Sequence, residues 1–465
     1  MALHLQQHYL ACLSHASYFV GDTGSGRAVV VDPQRDISAY LAEAREHGMQ
    51  ITHVIETHFH ADFLSGHLEL ARETGAEIVF GAAAAGRTDF PIRTMRDGET
   101  IVLGDGADSV HLTILETPGH TPESISIVVR ESRDASPYSV LTGDTLFIGD
   151  VGRPDLLSAV GHDAHTLARQ LYSSLHDKLL ALPDSTFVHP AHGAGSACGK
   201  NLSTNTVSTI GEQRRTNYAL APMSVDDFVE AVTEGQAVAP LYFLFAATSN
   251  RKVRETFDED RPLPALSIDE VERHREAGAA VLDTRDDADF ATGHLRGSIN
   301  VGLGGRFAEY AGEVIESGRS IVIVAEPGKE REAMIRLARI GFDSVIGYLD
   351  DPIRCFLEHP DLVHSASRLT APDFAAARET VSGLQLIDVR GPGEFRLGTI
   401  EGARHIELAA LTRHLDDLDP SRPVVVFCAG GYRSSIAAST LRSLGYADVS
   451  DIIGGYNAWS SLVTA

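Results

Sequence analysis

The residues best equipped for chemistry fall into two groups. The first opens with Thr57-His58-Phe59-His60-Ala61-Asp62-Phe63, where two imidazoles and a carboxylate follow a β-type run at spacings of two. Histidine and carboxylate are common ligands of zinc and iron. His120 stands in the turn Thr117-Pro118-Gly119-His120-Thr121-Pro122, Asp144 in Leu141-Thr142-Gly143-Asp144-Thr145, and His192 in His189-Pro190-Ala191-His192-Gly193. With 21 histidines in the chain, any one of these alone reads as a hydrogen-bonded side chain, and only the set points to a metal. The second group is Cys428-Ala429-Gly430-Gly431-Tyr432-Arg433-Ser434-Ser435, a cysteine between a buried-type strand and a helix. Backbone N–H groups and the positive end of the helix dipole favour a thiolate and a bound oxyanion there. Gly430, Gly431, Tyr432, Arg433 and Ser434 are the candidate substrate contacts.

These groups need scaffolding. β-type runs at Tyr18-Phe19-Val20, Ala28 to Val31, Ile51 to Glu56, Ile101 to Leu103, His111 to Leu115, Ser124 to Val129 and Ser139 to Leu141 alternate with helical stretches near Ser38 to His47 and His165 to Leu180. The histidines and Asp144 then fall at strand ends and in the loops that follow. The polar stretch Asn250 to Pro264 reads as a linker.

Beyond it the chain repeats itself. Val281-Leu282-Asp283-Thr284-Arg285 with Gly293-His294-Leu295-Arg296-Gly297 recurs as Leu386-Ile387-Asp388-Val389-Arg390 with Gly398-Thr399-Ile400-Glu401-Gly402. Buried-type strands Ile321 to Val324 and Val424 to Phe427 follow, each with a tight loop and a helix, which is α/β architecture with a ligand loop at a strand's carboxyl end. In the first copy Ala325 occupies the place of Cys428, so that copy lacks a nucleophile.

The 465 residues are enough for about three domains. A formal charge of -25 argues against nucleic acid or an anionic bilayer as partner. The apolar stretch Ala237 to Ala247 is broken by Pro240 and is too short to span a bilayer. The N-terminus has neither a basic nor an apolar signal region, so a cytoplasmic protein is expected. Four cysteines without a Cys-x-x-Cys pair argue against a disulfide framework or a structural zinc cage. Cys12, placed in the first β-type segment, and Cys355 read as packing residues.

The order His-x-His-x-Asp, Thr-Pro-Gly-His-Thr, Thr-Gly-Asp, Pro-Ala-His resembles the metallo-β-lactamase superfamily over residues 5–230. In its two-metal hydrolases, such as glyoxalase II, a histidine after the aspartate helps to hold a second metal, and here that position is Phe63. A phenyl ring has no lone pair to donate. Within the superfamily the likeness is greatest to persulfide dioxygenases, which implies one Fe(2+) per chain held by His58, His120 and Asp144, with His60, Asp62 and His192 supporting them. Two imidazoles and one carboxylate leave open positions on ferrous iron, although the ligand types leave Zn(2+) open as well. The segment Gly149 to Leu156 resembles the stretch of those enzymes whose arginine lies near the thiol substrate, which makes Arg153 a candidate substrate contact. Cys198, in an insertion-like segment after His192, is a second candidate expected near the site mouth.

Asp388, Arg390, Glu394, the Cys428 loop, Gly454-Gly455 and Trp459 resemble rhodanese sulfurtransferases. The four residues between Cys428 and Arg433 match the shorter rhodanese loop, whereas related phosphatases use five. The expected fold class is therefore α/β: a metallo-β-lactamase αβ/βα sandwich followed by two tandem rhodanese-like domains. The expected boundaries are 1–245 for the dioxygenase domain, 246–264 for a linker, 265–365 for an inactive rhodanese and 366–465 for a catalytic rhodanese.

As a whole the chain resembles bacterial fusions that act in sulfide detoxification. The resemblance implies oxidation of a low-molecular-weight thiol persulfide by O2 to sulfite and thiol. It also implies sulfur transfer through Cys428 that gives thiosulfate, or persulfide in reverse, in a homo-oligomer. Two alternatives are a zinc-dependent, glyoxalase-II-like thioester hydrolase carrying a rhodanese unit, and a sulfur carrier without turnover.

Overall fold

The computed structural model describes residues 2–106, 108–158 and 161–464. The chain forms two compact units, Met1–Gln236 with Phe243–Phe257, and Ala237–Tyr242 with Asp258–Ala465. Two six-stranded sheets make up the first unit. One runs in sequence order through β1 (Leu3–Leu10), β2 (His15–Asp22), β3 (Arg27–Val31), β4 (Gln50–Ile55), β5 (Glu77–Gly81) and β6 (Arg93–Met95). The other runs from β7 (Thr100–Val102) through β8 (His111–Glu116), β9 (Ile125–Arg130), β10 (Ser139–Gly143) and β11 (Phe187–Pro190) to β12 (Ser208–Thr209).

Period-two alternation assembles the layers. Val29 and Val31 join Ile127 and Val129 of the other sheet in one central core, while Ala28 and Val30 face Tyr40, Ala44 and Leu70 on the outer helices. Val128 and Val140 likewise join Ala168 and Leu171 of the helix Ala164–Ser173. The result is the expected αβ/βα sandwich. Cys12 lies in the turn after β1 rather than in a strand.

Residues 251–264 of the segment read as a linker form neither helix nor strand, but the part up to Phe257 belongs to the first unit. Phe243–Ser249 is a helix, and residues to Phe257 pack with the first unit. Polar composition made this stretch look solvated, but its polar groups satisfy a buried loop. Asn250, 2% exposed, donates through Nδ2 to the carbonyls of His60 and Phe63, both at 2.9 Å, and its Oδ1 accepts from the Ser65 N–H at 2.9 Å. Arg254 pairs with Glu69, which also accepts from the Phe257 N–H at 3.1 Å.

In the second unit the repeat appears as two five-stranded parallel sheets. The first has the order β13 (Ala265–Leu266), β18 (Val345–Leu349), β17 (Ile321–Val324), β14 (Ala280–Asp283), β16 (Ile299–Asn300), with a separate pair of β15 (His294–Leu295) and β19 (Val363–His364). The second has β20 (Ser367–Leu369), β24 (Val449–Ile452), β23 (Val424–Phe427), β21 (Gln385–Asp388), β22 (Arg404–His405), the same connectivity. Each copy also repeats one buried ion pair. Arg285 reaches Asp283 at 2.5 Å and the Gly293 carbonyl at 2.9 Å, and Arg390 reaches Asp388 and the Gly398 carbonyl, both at 2.6 Å. Among the described residues no helix is long and apolar enough to cross a membrane.

Candidate metal centre and cysteine loop

His58, His120 and Asp144 converge from loops after β4, β8 and β10, and all three are buried. Asp144 Oδ2 lies 3.5 Å from His120 Nε2 and 3.8 Å from His58 Nε2, and the two rings stand at 89° with centroids 4.9 Å apart. Close backbone approach makes this possible. A Cβ on Gly152 would sit 1.9 Å from the Asp144 carbonyl oxygen and 3.2 Å from the His120 Cβ, so only glycine fits.

The tautomers follow from the partners. His120 Nδ1 lies 2.9 Å from the Arg153 carbonyl, which can only accept, so Nδ1 carries the proton and Nε2 keeps its lone pair for the cluster. Thr57 donates its hydroxyl hydrogen to Asp32 Oδ2 at 2.8 Å and accepts from His58 Nδ1 at 3.0 Å, which frees His58 Nε2 in the same way. Asp144 Oδ2 is buried without a hydrogen-bond partner. An unsatisfied carboxylate oxygen facing two imidazole lone pairs is the environment a divalent cation satisfies, so the donor set fits a metal ion.

His192 lies between two carboxylates, with Nδ1 2.7 Å from Asp144 Oδ1 and Nε2 2.6 Å from Asp62 Oδ2. Both partners only accept, so the ring donates from both nitrogens. Burial alone would depress its pKa, but Asp144 and Asp62 hold it well above the ordinary value. His60 turns Nε2 to Asp32 at 3.0 Å and to Glu56 at 3.5 Å. Phe63, 1% exposed, fills the remaining corner, with its ring 4.0 Å from that of His15 and 4.4 Å from that of His60.

Cys198 is buried beside Asp62 and His192 rather than at an open mouth. Burial, then the nearby Asp144 and Asp62 carboxylates, pushes its thiol well above the ordinary value. Arg153 presents its fork to Asp155, with Nε and Nη2 each at 2.7 Å, while its backbone N–H donates to the Cys198 carbonyl at 3.0 Å. The residue thus joins the His120 and Cys198 loops through its main chain. Asp32, Glu56, Thr57, His15 and Asn250 are the neighbours that sequence reasoning missed. Asp32 carried one signal, a carboxylate at the end of β3 just before Pro33.

In the last domain Cys428 directly follows β23, buried at 1% exposure. The Gly431 N–H donates to its sulfur at 3.1 Å, and Ser434 Oγ lies 3.6 Å away. Gly431 has φ +110°, a conformation that side chains rarely adopt, and it turns the chain into the helix Tyr432–Ser443. Arg433 holds Glu394 through two 2.7 Å bonds. Tyr432 directs its hydroxyl to the Gly302 carbonyl at 2.6 Å, so that group is already engaged. Cys355 bonds the Asp350 carbonyl at 3.2 Å and packs on the middle domain's core.

An αβ/βα sandwich with a buried histidine and aspartate cluster, joined to two α/β domains of which one carries a cysteine loop, defines a three-domain α/β protein with a candidate metal site and a candidate cysteine nucleophile. Residues 10–192 match the Metallo-beta-lactamase superfamily, and residues 267–353 and 370–462 match the Rhodanese-like domain. The chain is similar to the mitochondrial persulfide dioxygenase ETHE1 of Homo sapiens, 29% identical over 51% of this chain and 83% of that protein. It is also similar to a hydroxyacylglutathione hydrolase of Polaromonas sp., 34% identical over 38% of this chain and 61% of that protein. A crystal structure of a metallo-beta-lactamase from Staphylococcus aureus is 30% identical, covers 75% of this chain and 99% of its own, and superposes with a TM-score of 0.67. The chain belongs to the metallo-beta-lactamase superfamily, with persulfide dioxygenase relatives and two rhodanese-like domains at its C-terminal side.

Proposed function

We propose that the protein is an iron(II)-dependent persulfide dioxygenase joined to a sulfurtransferase, with the overall oxidation R-S-SH + O2 + H2O → R-SH + sulfite + 2 H+. His58, His120 and Asp144 would hold the metal, whose contribution is to activate dioxygen and the persulfide's terminal sulfur. The chain's own groups do the rest. Thr57 and the Arg153 carbonyl fix the two imidazoles, His192 fixes Asp144, and Phe63, packed on the His15 and His60 rings, closes the corner beside the site. Cys198, buried beside Asp62 and His192, would act toward the substrate as a neutral thiol.

At the other end, the Cys428 thiolate attacks the outer sulfur of a second R-S-SH, R-SH leaves with the proton, and the resulting Cys428 persulfide passes that sulfur to sulfite as thiosulfate. Gly430, Gly431, Tyr432, Arg433 and Ser434 shape this loop, and the Gly431 N–H is its nearest donor to the sulfur. Reversal would make persulfide from thiosulfate and thiol.

The observation that carries the reading is the buried His58, His120 and Asp144 cluster with Phe63 in its neighbourhood, in one chain with a cysteine loop of rhodanese length. The likeness to hydroxyacylglutathione hydrolases favours a second reading, a zinc thioester hydrolase. Metal analysis of protein purified without oxygen, paired with oxygen uptake on glutathione persulfide, separates the two. One iron per chain with oxygen uptake is expected. Two zinc ions with thioester hydrolysis and no oxygen uptake would overturn the proposal.

A further inference from the structure

The middle rhodanese-like domain has Ala325 where its neighbour has Cys428, and no sulfur chemistry of its own follows from its loop. Its segment Asn300–Gly305 nevertheless runs along the catalytic helix Tyr432–Ser443. The Tyr432 hydroxyl donates to the Gly302 carbonyl at 2.6 Å, with the Gly304 carbonyl 3.2 Å away. Ser435 Oγ donates to Asn300 Oδ1 at 3.1 Å, and the Asn300 N–H donates to Ser439 Oγ at 3.0 Å. Positions 432, 435 and 439 follow i, i+3, i+7 spacing, so one face of the helix is held along two turns.

The holding segment is itself fixed. Asn300 Nδ2 donates to the carbonyls of Asp283 and Arg285 at 3.1 and 2.9 Å. Arg336, on the helix that follows the degenerate loop, donates to the carbonyls of Leu303 and Gly305, the latter at 2.6 Å. Tyr310 of the helix Phe307–Val314 meets the Tyr432 ring edge-on, with centroids 5.5 Å apart at 70°. A Cβ on Gly302 would already touch that ring at 3.4 Å.

These contacts bracket the groups nearest to the reactive sulfur. Gly431, whose N–H meets Cys428 Sγ, precedes Tyr432, and Ser434, whose hydroxyl lies beside the sulfur, precedes Ser435. A helix start that could shift or fray would move the Gly431 N–H and the Ser434 hydroxyl together. We infer that the middle domain is a positioning part of the sulfurtransferase site, in which Tyr432 and Asn300 fix the first turn of the catalytic helix against Cys428. The inference rests on the sulfurtransferase reading of Cys428. It gives a positioning role to a domain that the sequence shows only as an inactive rhodanese.

Full-length Tyr432→Phe and Asn300→Ala proteins test it in two ways. With glutathione persulfide and sulfite as substrates, kcat for thiosulfate formation should fall about five- to tenfold in each, with KM for sulfite changed less than about twofold. Alkylation of Cys428 by iodoacetamide at fixed pH, followed peptide by peptide by mass spectrometry, should slow in both. Alkylation needs no sulfur donor, so it reports on the positioning even if parent protein forms no thiosulfate and the sulfurtransferase reading fails. Unchanged kcat and unchanged alkylation in both variants would sink the inference, as would a higher KM at constant kcat, which would make Tyr432 a substrate contact. If Asn300→Ala does not fold, Tyr432→Phe, which removes a single oxygen, decides the matter alone.

Discussion

His192 Nδ1 and Asp144 Oδ1 lie 2.7 Å apart, and this one bond fixes the direction in which Asp144 presents its other oxygen to His58 and His120. The same ring is anchored at its far side by Asp62. Removing it should leave Asp144 free to turn. We expect His192→Ala to weaken metal binding about 10- to 100-fold, measured by competition with a chromophoric chelator, while thiosulfate formation by the Cys428 domain is retained. Unaltered metal affinity would mean that Asp144 is aimed by other contacts.

Phe63 packs on His15 and His60, so an imidazole there would enter a site already lined by Asp62 and His192. Phe63→His should raise the metal content of protein loaded with zinc above that of the parent. Persulfide-dependent oxygen uptake by the iron-loaded variant should persist. Loss of oxygen uptake in a folded, iron-loaded variant would show that the phenyl ring itself is required.

Asn250→Ala would leave two carbonyls and one N–H of the 60–65 loop without their partner in a buried setting. Each orphaned group costs about 1–3 kcal/mol, so a loss on the order of 3 kcal/mol and a clear fall in Tm are expected. Calorimetry with and without metal would separate the effect on folding from the effect on the site. A neutral result would show that water replaces the amide.

Glu313 gives a pH signature for the second unit. Its side chain is buried on the helix Phe307–Val314, and burial, then the neighbouring Glu309, raises its pKa to about 8. Between about 4.5 and 8 the folded state holds a proton that the unfolded state has lost, so stability falls as pH rises through that window. The slope is on the order of 1 kcal/mol per pH unit. Glu313→Gln should flatten this dependence in urea melts at pH 5, 6, 7 and 8, and should stabilise the protein most at the alkaline end. An identical slope in the variant would place the titration elsewhere.

His58, His120 and Asp144 were legible in the sequence because each follows a β-type run, His58 in a His-x-His-x-Asp run and His120 and Asp144 just after a glycine. Cys428 was legible for a similar reason, since a strand, a glycine pair and a helix leave the sulfur little freedom. Asn250 was not, because a polar segment reads as solvated whether its amides meet water or a distant loop. Arg153 illustrates another limit. Its guanidinium suggested a substrate carboxylate, yet Asp155 takes the fork, and the contact that orients His120 comes from a main-chain carbonyl that every residue possesses. Tyr432 was read as a substrate contact from its place in the loop, and no local pattern could reveal that its hydroxyl meets Gly302.

The chain passes from the first unit to the second at Ala237 and returns at Phe243 before leaving for good after Phe257. Tyr242, packed against Gly312, thus belongs to one unit, and Asn250, eight residues later, completes the loop of the other. The sequence ranges of the two units consequently interleave. A protease cut or gene truncation near residue 245 would strip each half of a piece that it needs, so the halves cannot be exchanged at that point like beads on a thread.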